Sequence, residues 1–392
     1  MPKIYIKKVT AETILKDYAD LMDMTNYTKH FDPKKKLIVK LNLSWSKYFP
    51  ACSSPPWQVE GVLKKLREDG FKGENIFTAE NRTVVTNISK GLNGNKWKPI
   101  ISKYNCYFVP LTRVKFIPFK SKIPLHVLDS VIFPKGFSIP AFYIGKNIMH
   151  LPTFKTHGHT GAKGGKFSRE NPETGGGITC AMKNAFGGLL TKRRHFSHQY
   201  MSEVLVDLLI IQKQIHPNIM AIVDGTVAGD GEGPRCMIPR IKNIIMAGYD
   251  QVAVDAVAAS IMGFDPLKLP FIKLAHDEGL GVGDIDQIEI ITDDGIDYKK
   301  VNWGFKVKRS LVIWGDQMVR KGRLKFLEPL LHTWLFNVGP VMLSTIYHDL
   351  YWINTVGRKR IKEYNKTEWG KLFKKYPSDL LPGQQLNKIR HE

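Results

Sequence analysis

The 392-residue sequence has few cysteines and no pair of them at metal-ligand spacing. Only Cys52, Cys106, Cys180 and Cys236 occur, and no CxxC motif is present. This excludes a locally encoded zinc ribbon or iron–sulfur cluster motif. The scatter favours reduced thiols over a disulfide framework. Because the first residues, MPKIYIKKVTAETILKDY, also lack the apolar segment of a signal peptide, we expect a cytoplasmic protein.

Nucleotide-binding motifs and an uninterrupted membrane-spanning run are missing as well. No GxxxxGK[ST] sequence is present, and no GxGxxG follows a predicted strand. Residues 327–352 approach spanning length, but His332, Asn337 and the pair Gly339-Pro340 interrupt them. These breaks argue against a straight transmembrane helix.

Acidic residues are scarce relative to basic ones. Lys and Arg number 58 against 36 Asp and Glu, which gives a formal net charge of +22. Such an excess suits nucleic acid, an anionic membrane surface or anionic small molecules, and lysine-rich solvated faces explain it equally well. Nucleic-acid binding is supported by charge alone, because no recognition helix, zinc finger or aromatic RNA-binding motif is present.

Hydrophobic periodicity predicts an α/β fold. Residues 34–45 and 75–79 favour strands, and residues 59–69 between them have helical spacing. Strand, helix and strand with short links form a βαβ unit, so we expect a mainly parallel sheet with helices on both faces. Further predicted strands are 146–151, 219–223, 241–247 and 285–291, and further predicted helices are 177–190, 201–216 and 250–262.

The sequence changes character near residue 306. We expect an α/β domain over residues 1–305 and a helical, basic and aromatic-rich extension over 306–392. Within 327–352, two short helices could lie in a membrane interface, with aromatic anchors and basic flanks. A helical hairpin that packs on the domain or forms a dimer contact is the alternative.

Polar residues follow the predicted strands at the points where the strands end. Lys40 and Asn42 end the first, and Glu80 follows the second. In open parallel sheets the carboxyl ends of the strands form the ligand-binding edge. We therefore expect these side chains to lie near a bound ligand.

Residues 151–198 carry the most specific chemistry. Cations, histidines and hydroxyls are concentrated there between glycines, with few large apolar residues, as is typical of an anion-binding loop held by a scaffold. We expect bound anions to contact Lys155, Thr156, Lys183, Asn184 and Arg193, together with Lys40 and Asn42. We expect His157 and His198 to transfer protons.

Acidic residues could complete the site. Asp224 ends a predicted strand and is followed by a predicted acidic, glycine-rich loop, GTVAGDGEGP, which could hold a divalent cation or supply a general base. A divalent metal is one option, with Glu80, His159 and Asp230 as the candidate ligands. The cofactor is otherwise unassigned.

These motifs together resemble the family known as domain of unknown function 362. The matching segments are VKLN at 39–42, AEN at 79–81, FKTHGHTG at 154–161, ITCAMKNAFGG at 178–188, RRHFSH at 193–198, VDGTVAGDGEGP at 223–234 and AGYDQVAVDAVAA at 247–259. Leu41 stands where the family usually has proline. Many relatives also carry a ferredoxin-like cysteine module, which this chain lacks. The resemblance implies an α/β fold and a set of polar positions, without a settled reaction.

Three function classes remain. The first is an enzyme that binds an anionic small molecule or cofactor at the carboxyl edge of the sheet, with or without a metal. The second is a non-catalytic protein that is peripheral to an anionic membrane and binds it through the extension. The third is a nucleic-acid-binding protein.

Overall fold

The computed structural model describes residues 1–82, 86–160, 177–190, 194–320, 322–332 and 342–388. The strands are β1 Lys3–Lys8, β2 Leu37–Lys40, β3 Ile76–Glu80, β4 Tyr107–Pro110, β5 Phe116–Phe119, β6 Phe137–Pro140, β7 Asn147–His150, β8 Thr153–His157, β9 Gly177–Thr179, β10 Ile219–Glu232, β11 Cys236–Gly248 and β12 Glu289–Thr292. The helices are α1 Ile14–Met24, α2 Pro56–Glu68, α3 Ile88–Gly94, α4 Trp97–Lys103, α5 Ala181–Asn184, α6 Phe186–Leu189, α7 Met201–Ile215, α8 Gln251–Met262, α9 Pro270–Asp277, α10 Leu311–Arg320, a π-helix Ile346–Gly357, α11 Arg358–Tyr364 and α12 Glu368–Lys375.

One large, mostly parallel sheet forms the centre of the molecule. Its strand order is β12-β1-β11-β10-β7-β2-β3-β4, and β8 and β9 continue it beside β10. The run β10-β7-β2-β3-β4 is parallel throughout, whereas β11 is antiparallel to both of its neighbours. The sequence-based prediction of an α/β fold with a mainly parallel sheet is confirmed.

Both faces of the sheet are buried, as expected for parallel strands covered by helices. In β2, Ile38 packs into the layer that contains α7, α8 and α9. Its neighbours Leu37 and Val39 pack into the opposite layer, with α1, α2 and α4. Because side chains alternate along a strand, the continuous apolar run LIV serves two cores at once.

The glycine-rich acidic segment after Val223 forms strand rather than the loop that the sequence analysis predicted. β10 extends to Glu232 and pairs with β11 in a long antiparallel hairpin. Its glycines allow close packing. A Cβ on Gly225 would lie 2.8 Å from Phe154, and one on Gly229 would lie 2.2 Å from the sulfur of Met237. Glycines in such a sequence favour turns, but here they leave space for side chains of neighbouring strands to pack against β10.

The predicted helix over residues 177–190 is also divided differently. Gly177 begins β9, which pairs with β8, and two short helices follow. Asp255 of α8 caps α5, because its carboxylate accepts from the backbone N–H groups of Ala181 (2.6 Å) and Met182 (3.1 Å). A carboxylate from a distant helix thus fixes the start of the element that carries Lys183 and Asn184.

The chain after residue 306 packs against the α/β core at several places. Trp369 of α12 lies 5.2 Å from Trp57 of α2, measured between ring centroids. The backbone N–H of Phe108 in β4 donates to the carbonyl of Asn387 at 2.8 Å. Trp352 of the π-helix packs on Phe49, with ring centroids 5.2 Å apart. Among the described residues, no helix is both long and apolar enough to cross a bilayer.

Candidate functional site

A buried polar network lies where β2, β3 and β7 end. Lys40 Nζ donates to Glu80 Oε1 at 2.9 Å, and both side chains are almost completely buried. Asn184 of α5 donates through Nδ2 to the carbonyl of Lys40 at 3.1 Å and contacts His150 Nδ1 at 3.3 Å. Asn42 donates to Asn184 Oδ1 at 3.3 Å. The parallel sheet therefore brings together Lys40, Asn42, Glu80 and Asn184, which sequence reasoning assigned to one edge.

Two glycines of α6 let that helix approach the Lys40–Glu80 pair. A Cβ on Gly187 would lie 3.6 Å from Glu80 Oε1, and one on Gly188 would lie 3.2 Å from Lys40 Cε. Within this network Lys40 is a cation paired with a carboxylate, and Glu80 also accepts from the N–H of Asn81 at 2.8 Å. The pairing gives Lys40 a role in holding Glu80 and Asn184, and its predicted contact with an anion stays a prediction.

Lys155 differs from Lys40 in having only neutral partners. Its ammonium group donates to Asn42 Oδ1 at 2.8 Å and to the hydroxyl of Thr153. It is 1% exposed and forms no ion pair with a carboxylate among the residues the structure describes. Burial lowers the pKa of Lys155 to about 8. An ammonium group has three donors, so one N–H remains for another acceptor.

Three histidines and a second lysine gather beside Lys155. His157 Nδ1 accepts from the backbone N–H of His159 at 3.1 Å, and the His159 and His198 rings lie 4.4 Å apart, measured between centroids. Burial lowers the pKa of all three imidazoles, and the nearby charge of Lys183 lowers each further. The charge of Lys155 also acts on His157. Lys155, Lys183 and the histidines thus form one electrostatically coupled group, the Lys–His cluster.

Helix α10 supplies an acidic residue that the sequence analysis did not select. Asp316 Oδ2 lies 3.6 Å from His198 Nδ1, and Arg320 Nε donates to both oxygens of Asp316 at 2.9 and 3.0 Å. Burial opposes ionisation, yet the bond to His198 and the charge of Arg320 hold the pKa of Asp316 well below its usual range. Gln317 Nε2 donates to the carbonyl of Gly158 at 2.7 Å. This hydrogen bond fastens α10 to the histidine segment.

The i, i+4 spacing of acidic Asp316 and basic Arg320 is the sequence signal for this contribution. It is also the pattern of an ordinary surface ion pair. The long connection between residue 198 and α10 leaves nothing in the sequence that would bring Asp316 to His198. Only the tertiary structure shows the contact.

The structure places Asp224 in a structural network on the other face. Its Oδ2 accepts from Tyr18 OH at 2.7 Å and Trp57 Nε1 at 3.0 Å, and its Oδ1 accepts from the hydroxyl of Thr226 at 2.7 Å. Burial raises the pKa of Asp224 to about 6, and these donors oppose the rise. Both carboxylate oxygens therefore have protein donors, two of which come from α1 and α2.

Two further predicted residues also make structural contacts. Asp230 accepts from Arg240 Nη2 at 3.2 Å and from the backbone N–H of Lys306 at 3.0 Å. Thr156 donates to the carbonyl of Gly231 at 3.0 Å and ties β8 to β10. Among the predicted metal ligands, His159 is the one that joins a group of metal-donor atoms in the described part of the chain. Arg193 lies outside the described residues.

Comparison with known proteins supports the resemblance to domain of unknown function 362 and leaves the chemistry open. Residues 173–260 match the sequence profile of Domain of unknown function (DUF362). The DUF362 match runs from β9 into α8 and includes Lys183, Asn184 and His198. Lys155 and Asp316 lie outside it.

One relative is similar over a short stretch. The "Thylakoid-associated protein sll1697" of Synechocystis sp. is 31% identical over 112 residues, which amount to 27% of this chain and 33% of that protein. The chain thus spans about a third of the length of that relative. No solved structure matches the chain.

Proposed function

We propose that this protein binds an anionic small molecule at the Lys–His cluster and acts on it as an enzyme. The observation that carries the proposal is the buried ammonium group of Lys155, which has amide and hydroxyl partners but no carboxylate partner among the described residues. Burying a cation without a counter-charge costs free energy, and such groups concentrate at functional sites.

The contrast with Lys40 strengthens this argument. Both lysines are buried, yet Lys40, at the end of β2, is neutralised by Glu80 at 2.9 Å. Around Lys155 the charge of Lys183 adds to the positive potential, and α10 contributes one carboxylate that Arg320 already engages. A phosphate or carboxylate group would supply the counter-charge that Lys155 lacks among the described residues.

The same lysine offers a route to catalysis. With a pKa of about 8, Lys155 can hold or release a proton near neutral pH, unlike an ordinary lysine. Lys183 would stabilise negative charge that develops on the bound molecule. The reaction class is left open, because nothing in the cluster selects among proton transfer, hydrolysis and group transfer.

Thermal unfolding with defined anions tests the proposal. Inorganic phosphate, pyrophosphate, oxalate and citrate would be compared at equal ionic strength, with wild type, Lys155→Met and Lys183→Met. Lys16→Met is the matched control, because the Lys16 side chain is 75% exposed and lies on α1, in the layer opposite to α5. We expect at least one anion to raise the Tm of wild type and of the control, and to lose that effect in both site variants. Equal shifts in all four proteins, or no shift with any anion, would contradict it.

A second function, binding to an anionic membrane surface, is favoured by a separate observation. Large apolar side chains are exposed along one segment after residue 323, including Phe326 (73%), Leu343 (63%) and Leu350 (64%). In the π-helix Ile346–Gly357, Trp352 faces the core while Leu350 and Tyr351 face outward. Such an exposed apolar face is typical of protein or membrane contact sites.

Charge next to this face favours a lipid headgroup as the occupant. Arg358, Lys359 and Arg360 line a groove of about 590 Å³ beside it. Basic residues adjoining exposed apolar side chains bind anionic lipid surfaces. We therefore propose that the protein is peripheral to an anionic membrane.

Liposome sedimentation separates this proposal from a protein-only contact. We expect wild type to sediment with vesicles containing phosphatidylglycerol and to remain in solution with pure phosphatidylcholine. Leu343→Asp combined with Leu350→Asp should abolish sedimentation, whereas Leu381→Asp, an exposed apolar position outside the face, should retain it. Sedimentation that is unaffected by the double substitution would contradict the proposal.

A further inference from the structure

Three metal-donor side chains from distant parts of the chain converge at one place. His159, His198 and Asp316 each offer one ligand atom, and these atoms all lie within 4.8 Å of one another. We propose that they form a binding site for a divalent transition metal such as Zn²⁺, with the third ligand supplied by α10. The proposal deepens the proposed function, since it places a metal beside the anion that the Lys–His cluster would hold.

To bind a metal ion, the three side chains would have to move only slightly closer together. Zinc–ligand bonds of about 2.0–2.2 Å place the ligand atoms of a tetrahedral site roughly 3–4 Å apart. The present separations of up to 4.8 Å therefore shorten by about 1 Å on binding, which side-chain rotation can provide. Two imidazoles and one carboxylate are the ligand set of sites that keep a position open for water or substrate.

An unpartnered nitrogen gives independent support. His159 is 8% exposed, and its Nδ1 is buried without a hydrogen-bond partner in the described part of the chain. A buried polar atom without a partner costs free energy, which a metal–nitrogen bond would offset. The backbone N–H of His159 donates to His157 Nδ1, and its ring stacks on that of His198 with centroids 4.4 Å apart.

The surrounding contacts orient the carboxylate. Arg320 lies one helical turn after Asp316 and donates to both of its oxygens, while Gln317 anchors α10 to Gly158, which directly precedes His159. A Cβ on Gly158 would lie 2.9 Å from Ile313, so α10 packs closely on this segment. Outer contacts of this kind fix ligand orientation in metal sites.

Nearby positive charge makes the metal site depend on an anion. Lys183 and Arg320 both act on His159 and His198 and would repel a cation. Asp316 offsets the charge of Arg320, and an anion bound beside Lys183 would lower the positive potential at the two histidines. Metal and anion should therefore bind with positive coupling.

Metal binding can be measured without any organic ligand. Full-length, tag-free protein would be stripped with chelator and dialysed against Zn²⁺, and bound metal counted per chain. We expect one Zn²⁺ per chain in wild type, with at least a tenfold weaker affinity in His198→Gln and in Asp316→Asn. His30→Gln is the matched control, because His30 is exposed and distant from the cluster.

X-ray absorption of the zinc-loaded wild type identifies the zinc ligands even if a variant fails to fold. We expect scattering from two imidazoles. Absence of stoichiometric zinc, or a spectrum without imidazole scattering, would overturn the inference. Zinc binding with no response to any anion would leave the metal site standing and reject the proposed function. Anion binding without any zinc binding would support the proposed function and reject the metal site.

Discussion

At the residue scale, the charge state of Lys155 has a measurable effect on stability. Its pKa falls from 10.5 in the unfolded chain to about 8 in the folded protein, so the folded state binds fewer protons between those values. The destabilisation is fully present below pH 8 and is relieved as pH rises towards 10.5. A difference of this size corresponds to about 3 kcal/mol.

Lys155→Met removes this linkage. We expect the free energy of unfolding of wild type, relative to the variant, to rise by about 2–3 kcal/mol between pH 7 and pH 10. Chemical denaturation of both proteins at several pH values measures this difference in unfolding free energy. A difference that stays constant with pH would show that Lys155 titrates normally.

Two buried tyrosines form a matched pair that tests the structural role of Asp224. Tyr18 OH donates to Asp224 Oδ2 at 2.7 Å, whereas Tyr143 OH is buried without a partner among the described residues. We expect Tyr18→Phe to cost about 1.5–3 kcal/mol of unfolding free energy, because a hydrogen bond to a buried carboxylate is lost. Tyr143→Phe should be neutral or stabilising. Equal effects in denaturant titrations would contradict this assignment.

At the element scale, adjacent glycines of α6 predict opposite outcomes for the same substitution. A Cβ on Gly188 would lie 2.7 Å from Tyr143 OH and 3.2 Å from Lys40 Cε, whereas one on Gly187 would meet Glu80 at an ordinary 3.6 Å. We expect Gly188→Ala to destabilise the protein by about 1–3 kcal/mol through overpacking. Gly187→Ala should be neutral, or up to about 1 kcal/mol stabilising, because alanine favours helix.

Thermal unfolding of the two alanine variants provides the comparison. The Gly188→Ala variant should also lose anion-induced stabilisation if the Lys40–Glu80 pair is displaced. Equal melting temperatures for the two variants would show that α6 does not press on this pair.

The sequence predicted the elements with strong periodicity and missed those shaped by distant contacts. β2 was recognisable because burial on both faces of a sheet gives a continuous apolar run. Helix α7 was recognisable because its apolar residues recur at helical spacing. β10 was cut short at Val223 because its glycines resemble a turn, although they accommodate Phe154 and Met237. No local pattern could show that Asp255 caps α5.

The same limit applied to the candidate site. Lys40, Asn42 and Glu80 could be placed together, because strand ends in a parallel sheet share an edge. The sequence could not show that Lys40 pairs with Glu80 while Lys155 has no carboxylate partner among the described residues. Both facts depend on side-chain geometry. Asp316 could not be found at all, since its meeting with His198 depends on the packing of α10.

At the scale of the whole molecule, the segment after residue 305 is bound to the core at several distant points. Asp316 reaches His198, Trp369 packs on Trp57, and Asn387 pairs with Phe108 of β4. We expect a chain of residues 1–305 to lose cooperative unfolding and to aggregate, because the apolar surface around Trp57 and Phe49 would be exposed. A truncated chain with wild-type circular dichroism and a sharp melting transition would contradict this.

The central claim is that the Lys–His cluster at the carboxyl edge of the sheet is one anion-binding site. Diffraction from crystals soaked in selenate, a phosphate-like anion with an anomalous signal, tests it most directly. The account predicts a selenium peak about 4 Å from Lys183 Nζ, on the side that faces Lys155 and His157, which places a selenate oxygen within hydrogen-bond reach of about 3 Å. Selenium peaks confined to surface lysines, with the cluster empty at saturating selenate, would contradict it.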